Sequence, residues 1–358
     1  MKPRVLFVGR SRLSLPLDPA LARKWNAVAE ELDIRVIATG RAGEQEDERF
    51  RLVPDRDLVG FYALLPLLVR AEVRAFDPDV IVTQSPYEAV VVRPVRGRAR
   101  LLLEVHGDWN TAARLYGSPL RAVLDPVSRH LARAAVRAAD AVRTVGPFTS
   151  RLVTEAGGTP ATTFTTYTDV SAFTRTPPQP LPEQPSALFV GVLERYKNVE
   201  VLAAAWRDVA ARRPEARLQL VGMGTQADVA EALARDGVRW ERRLEPAALA
   251  AALDASRALL LPSASEGLPR VAIESFLRGR AVAGARAGGI PDIVEHEQNG
   301  LLVPAGDPQA LAAAIERVLF EPGLAERLGA AAHASSATWV STPDEYADRV
   351  LAVVQSVL

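Results

Sequence analysis

Apolar residues follow two periods along this chain. Short continuous runs, Arg4-Val8, Ile34-Ala38, Asp79-Thr83, Leu101-Val105 and Ala141-Val145, are bounded by Gly, Pro, Asp or charged residues. Between them lie Ala/Leu/Arg-rich segments with a 3.6-residue repeat, such as Leu21-Leu32 and Leu120-Ala139. Continuous apolar strands alternating with amphipathic helices predict a parallel sheet covered on both faces. From Pro177 to Pro185 five of nine residues are proline, so this run cannot join a helix or a sheet interior. The alternation then restarts at Ala187-Gly191, Arg217-Gly222, Val238-Trp240, Ala258-Pro262, Ala281-Gly284 and Leu301-Val303. The pattern predicts two doubly wound α/β domains in tandem. The boundaries fall at residues 1-173, a Pro-rich linker at 174-186, and residues 187-342. Pro343-Leu358 reads as an amphipathic helix that packs back on the first domain. Ligands on such sheets bind at the carboxyl ends of the strands, and two facing domains predict an interdomain cleft.

Composition narrows the function. The 358 residues suit two domains of roughly 150 residues each. Formal net charge is zero, which removes the global electrostatic case for nucleic acid. The chain has no cysteine, so disulfides, thiolate catalysis and Cys-ligated metals are excluded. No apolar run approaches the about 20 residues that span a bilayer. The longest, Phe61-Val69, is interrupted by Pro66. The N-terminal MKPRVLFVG reads as a first strand and not a signal peptide. A cytoplasmic location fits. Of 43 basic residues only Lys2, Lys24 and Lys197 are lysine, so each lysine draws notice in an arginine-rich background.

The densest chemistry runs from Leu259 to Glu274. A strand ends at Pro262, a short loop follows, and Pro269 is placed as the first residue of a helix that Gly279 stops. The free amides of that helix start suit a diphosphate. Glu266 in the loop and Glu274 inside the helix are carboxylates that can accept sugar hydroxyls. The alternative is a capping Glu266 and a solvated Glu274.

The Glu-x7-Glu element resembles that of the retaining glycosyltransferases of family 4, which have the GT-B fold of two tandem Rossmann-like domains. The ordered segments that follow also resemble it: Ala281-Gly284, Gly288-Gly289-Ile290-Pro291-Asp292, Asn299-Pro304 and Gly306-Asp307-Pro308. Phe189-Val190-Gly191, Val221-Gly222-Met223-Gly224 and Trp339 match as well, with Asp169 and Phe173 as weaker matches near the end of domain one. The resemblance implies a hexosyltransferase using a nucleotide-sugar co-substrate, with UDP favoured, no other cofactor and no metal. It implies that Glu274 binds ribose hydroxyls and Glu266 the donor sugar. Gly267, Leu268 and Pro269 would form the loop under sugar and diphosphate, with Gly222, Gly288 and Gly289 lining the donor site. Lys197 matches the phosphate-binding lysine. At strand one of domain two the family has Gly-Arg where this chain has Gly191-Val192, and Arg195 is the substitute cation in reach. Glu241-Arg242-Arg243 replaces the usual glycine near the nucleobase.

In domain one, His106 closes a strand where the family has a histidine facing the reacting carbon. The structural alternative is a satisfied core histidine. Gly9-Arg10-Ser11-Arg12 is expected as a glycine-bearing loop after strand one. Thr149 or Ser150 reads first as a helix N-cap. Asp77-Pro78-Asp79 resembles a metal-holding Asp-x-Asp but precedes a strand, where Asp-Pro marks a turn. The acceptor, whether sugar, lipid-linked or small molecule, stays open. Between Arg93 and Arg151 eleven arginines face four acids. In Leu120-Ala139 the charges Arg121, Asp125, Arg129, Arg133 and Arg137 recur opposite Leu120, Val123, Leu124, Val127, Leu131, Ala134 and Ala135. This is expected as a packed helix with a solvated stripe; the alternative is peripheral contact with the inner membrane face. Two other functions remain: a nucleotide-sugar epimerase of the same architecture, and a nucleotide-sugar-binding protein whose catalysis has decayed. Hinge motion is expected near Phe173-Pro185.

Overall fold

The computed structural model describes residues 1–41, 47–54, 58–110 and 119–358. Contacts divide them into two compact units. One holds Met1–Asn110, Leu120–Thr168 and Ser341–Leu358; the other holds Asp169–Val340.

The first unit is a seven-stranded sheet of β1 (Arg4–Ser14), β2 (Asp33–Arg41), β3 (Phe50–Val53), β4 (Val80–Thr83), β5 (Arg100–Val105), β6 (Ala141–Thr144) and β7 (Thr162–Thr163). Every neighbour is parallel, in the order β3-β2-β1-β4-β5-β6-β7. Alternate side chains enter opposite cores. Val5, Phe7, Val80, Val82 and Leu102 face helices Pro19–Glu31 and Pro343–Gln355. Leu6, Val8, Ile81, Leu101 and Leu103 face helices Leu58–Phe76 and Pro119–Ala138. Strand β3 carries an exposed arginine inside it and β7 is only two residues long, so neither has an apolar run that can be read from sequence.

The second unit repeats the plan with six parallel strands. They are β8 (Ser186–Val190), β9 (Arg217–Val221), β10 (Arg239–Glu241), β11 (Ala258–Leu261), β12 (Ala281–Ala285) and β13 (Gly300–Val303). Their order is β10-β9-β8-β11-β12-β13. Phe189 and Leu260 point into one core while Leu188, Leu259 and Leu261 point into the other.

Three expectations change. First, the Pro-rich run is no free linker. Arg278 is buried and donates to the carbonyls of Phe173, Thr176 and Pro177 at 3.2, 2.6 and 3.0 Å. Arg280 holds the carbonyls of Gln179 and Pro180, and Arg257 those of Pro182 and Glu183. Proline offers carbonyls but no N–H, so a proline run bonds to its neighbours only as an acceptor, and arginine is its natural clamp. The boundary therefore falls at Thr168 and Asp169, and Phe173 is buried in the second unit. Second, the buried face of helix Pro119–Ala138 is Ala132, Ala135 and Val136. Val127 and Leu131, expected inside, are 58% and 43% exposed, while Asp125 is buried and paired with Arg129. Arg114 and the side chains of Leu120, Arg121, Val123 and Leu124 lie outside the described residues. Third, helix Pro147–Glu155 starts from Gly146, and Thr149 sits three residues further on, its hydroxyl accepting from the amides of Val145 and Gly146. Among the described residues no helix is long and apolar enough to cross a membrane.

Arg278 also holds Asp254 through two bonds of 2.9 and 2.6 Å. Replacing it with alanine removes five contacts, two to that carboxylate and three to carbonyls. Arg278→Ala is expected to cost about 3 kcal/mol of unfolding free energy in urea titration, and Arg278→Lys is expected to recover less than half of it.

Candidate functional site

Each sheet reverses its strand order at its centre, between β1 and β4 and between β8 and β11. Helices leaving those strands go to opposite faces, so the carboxyl ends open into a crevice. In the second unit this crevice holds the residues singled out from sequence.

After β8 the chain passes Val192, 48% exposed, and forms a 3-10 turn at Arg195–Lys197. Asn198 closes the turn in the left-handed region and donates to the Pro262 carbonyl at 3.0 Å. The Ala264 amide donates back to the Tyr196 carbonyl at 2.7 Å. These two bonds tie the turn that carries Lys197 to the loop that follows β11. The Lys197 ammonium meets the Glu266 carboxylate at 2.6 Å, with both side chains only 11% exposed. Arg195 lies exposed on the same turn.

The loop Glu266-Gly267 is shaped from behind by Gly288 and Gly289. A Cβ on Gly288, whose φ is +55°, would stand 2.4 Å from the Glu266 carbonyl oxygen, and one on Gly289 would stand 2.0 Å from that of Gly267. The Gly289 amide donates to the Glu266 carbonyl at 2.8 Å. These glycines therefore set where Glu266 stands. Gly222 serves in the same way: a Cβ there would lie 1.8 Å from the Gly191 carbonyl oxygen, and its own carbonyl accepts from Trp240.

Pro269 is the N-cap of helix Arg270–Leu277, which therefore starts one residue later than expected, and no side chain caps the helix start. Leu268 is half-buried against the core. Gly279 follows the helix with φ +65°. Glu274 is buried, which excludes the solvated position. Burial pushes its carboxyl above the usual range, against the pull of Arg270 at 3.1 Å. One group went unread in the sequence, and a second, Glu241, was read only as a departure from the family pattern. The Ser263 hydroxyl, at the end of β11, is fully buried with no protein partner. Glu241 is held by Gln219 at 2.7 Å and Arg239 at 2.9 Å, while Arg242 lies over Trp240.

In the first unit the structure corrects the region after strand one. β1 does not end at Val8 but continues to Ser14 through a register shift between Val8 and Arg12. Gly9 is packed against Gln84, where a Cβ would fall 2.0 Å from the side-chain oxygen. Asp77 and Asp79 lie before β4 and hold Arg4 and Arg98. Among the described residues no group of three or more His, Cys, Asp or Glu is arranged to hold a metal ion. His106 stands one-third exposed after β5, its ring nitrogens 3.0 Å from Glu104 and 3.3 Å from Thr166. Glu104 and Arg143 are register partners on β5 and β6, bonded at 2.9 Å. A charge of opposite sign in each of two otherwise apolar neighbouring strands was the available signal.

Helix Pro86–Val92 begins beside the β1–β4 crevice. Its Glu88 is 3% exposed and accepts from Tyr62 at 3.0 Å and from Ser85. Burial pushes its carboxyl up to about 7.

The family described as "Glycosyl transferases group 1" matches residues 184–321, and "Glycosyltransferase Family 4" matches residues 21–166. The D-inositol 3-phosphate glycosyltransferase of Thermobifida fusca is 34% identical over 224 residues, 58% of this chain and 51% of that protein. That of Segniliparus rotundus is 31% identical over 174 residues, 46% of this chain and 39% of that protein. The chain thus spans about half or less of the length of these curated relatives. Sucrose-phosphate synthase from Thermosynechococcus elongatus superposes with a TM-score of 0.78 at 20% identity, covering 99% of each chain. Anabaena HepE in complex with UDP superposes with a TM-score of 0.71 at 18% identity, over 99% of this chain and all of that one. The fold is that of the GT-B glycosyltransferase structures.

Two outcomes follow from this geometry. Gly289→Ala should lower unfolding free energy by about 1–3 kcal/mol, read by urea denaturation, because the methyl must displace the Gly267 backbone. For Glu88 the folded carboxyl sits above its unfolded value, so the fold is favoured at low pH and that advantage is lost between about 4.5 and 7. Glu88→Gln is accordingly expected to gain about 2 kcal/mol over the parent at pH 8 and little at pH 4.5.

Proposed function

We propose that this chain is a glycosyltransferase that moves a hexosyl group from a UDP-sugar to an acceptor hydroxyl. The observation that carries the proposal is the Lys197–Glu266 pair, buried at the β8–β11 crevice beside an uncapped helix start and a buried Glu274. Both family matches and the names of the curated relatives support a sugar transfer. UDP is favoured because Anabaena HepE, of the same fold, is seen with UDP and with UDP-glucose.

The proposed roles follow from charge and reach. The free amides at the start of helix Arg270–Leu277 receive the diphosphate, and Lys197 offsets the charge that develops as it leaves. Glu274 accepts the ribose hydroxyls. Glu266 accepts donor-sugar hydroxyls, and its tie to Lys197 favours positioning over nucleophilic attack. The bond from the anomeric carbon to the diphosphate oxygen breaks and the acceptor oxygen bonds on the same face. The departing oxygen takes the acceptor proton, so configuration is retained. Lys197 and the helix amides provide the electrostatic stabilisation, and no metal is required.

Thermal shift with UDP, GDP and ADP, followed by UDP-glucose hydrolysis, tests this. UDP is expected to raise Tm most. Lys197→Ala should weaken UDP by about tenfold or more, the worth of one charge-assisted contact. Glu266→Gln should keep UDP affinity within about threefold while hydrolysis falls about tenfold. EDTA should change neither. Unchanged binding and turnover in both variants would remove the site assignment, and binding without turnover in the parent chain would favour a decayed enzyme.

A further inference from the structure

We propose that Glu104 is a positioning residue that fixes the tautomer and orientation of His106, so that Nδ1 is the nitrogen offered to substrate. This rests on the reading of His106 as a substrate-facing group of the proposed transferase.

Two branches of one hydrogen-bond network, both starting at Arg143, meet at the His106 ring, and the Glu104 branch sets the tautomer. Glu104 is buried, and its Oε1 accepts from Arg143 at 2.9 Å. Its Oε2 lies 3.0 Å from His106 Nε2. An ionised carboxylate only accepts, so Nε2 must carry the proton. From the other side, Arg143 donates to the Thr166 hydroxyl oxygen at 3.3 Å. That hydroxyl stands 3.3 Å from His106 Nδ1, free to direct its own hydrogen there. Nδ1 is therefore an acceptor in the neutral ring. The Thr166 contact is long, and the ring is 34% exposed, so a sugar hydroxyl can take its place.

The charges around Glu104 keep it ionised. Burial alone would raise its carboxyl, but Arg143, His106 and Lys24 hold it down at about 2. Arg143 is fully buried, its guanidinium 4.1 Å over Phe164 and 5.6 Å over Tyr346. Lys24 stands over Trp25 and Tyr346, at 4.8 and 5.2 Å. The C-terminal helix thus covers the back of the group through Tyr346. The contrast with a satisfied core histidine is exposure: Nε2 is held by the buried Glu104, while the ring is one-third exposed and the Nδ1 contact to Thr166 is long.

The test is a long-range ¹⁵N–¹H spectrum of the histidine rings in the full chain. His106 is one of four histidines and is assigned by its loss in His106→Gln. The expected neutral ring carries its proton on Nε2. Glu104→Asp keeps the charge beside Arg143 but withdraws it from the ring. It should mix the tautomers and lower kcat for UDP-glucose turnover about tenfold or more, with KM within about twofold. Thr166→Val leaves the Glu104–Arg143 pair whole and should keep Nε2–H. A parent ring protonated on Nδ1, a switch to Nδ1–H in Thr166→Val, or a Glu104→Asp protein with unchanged kcat overturns the proposal. If His106→Gln retains full turnover, the reading of His106 itself falls. If only His106→Gln loses turnover while Glu104→Asp keeps it, positioning fails and the reading of His106 stands.

Discussion

A parallel sheet that reverses its strand order brings two backbones together at one edge and leaves the space above them open. That constraint organises both units of this chain. In the second unit the loops after β8 and β11 must run side by side, and two hydrogen bonds hold them there while the loop after β12 presses from behind. Asn198 reaches Pro262, Ala264 reaches Tyr196, and Gly289 presses on Gly267. Once those contacts are made, Lys197 and Glu266 have no choice but to meet. The ion pair follows from the loop packing and does not create it.

Three buried charges are each handled by a close partner of opposite sign. Glu104 has Arg143, Arg278 has Asp254 and Lys197 has Glu266, each bonded at 2.9 Å or less. Each pair does a different job. The first holds a histidine ring at a strand end, the second anchors a proline run that lacks donors of its own, and the third waits at an open crevice. A buried pair is costly to assemble and more costly to break, so a pair placed where a ligand can intervene is poised to exchange partners. Of the three, only Lys197–Glu266 sits beside an uncapped helix start. Under the proposed reaction, an incoming diphosphate satisfies the lysine while sugar hydroxyls satisfy the carboxylate.

How much of this was legible in the sequence depended on locality. The central strands were legible because burial on both faces leaves a continuous apolar run, and Gly279 was legible as a helix stop because only its own φ mattered. The edge strands β3 and β7 were not, since neither has such a run. Gly288 and Gly289 were legible as part of the site but not in their role, which depends on atoms 22 residues away in Glu266 and Gly267. Gly9 failed for the same reason: its neighbour is Gln84, and β1 runs on where a loop was expected. The Pro-rich run was read by its composition alone, whereas its placement depends on Arg257, Arg278 and Arg280. Glu104 was visible as a charge inside a strand, yet its meaning required knowing that Arg143 is its register partner.

Under the proposed function, the valine at 192 leaves the crevice one cation short of the pattern it resembles. Its side chain is nearly half exposed, and the neighbouring Leu193 amide bonds to the carbonyl of Met223, also exposed. The rim above β8 and β9 is therefore apolar where a phosphate-binding arginine would have put charge. Positive charge instead enters from the turn, through Lys197 inside and Arg195 outside. Coulomb attraction falls only as the inverse of distance, so a cation displaced by one turn still attracts a diphosphate. What displacement removes is bidentate geometry, which depends on direction. Under the proposed reaction, directional holding of the diphosphate passes to the amides of helix Arg270–Leu277, whose position Gly288 and Gly289 help to set. The loop from Glu266 to Pro269 then carries more of the work than the arginine-bearing version of this crevice would ask of it.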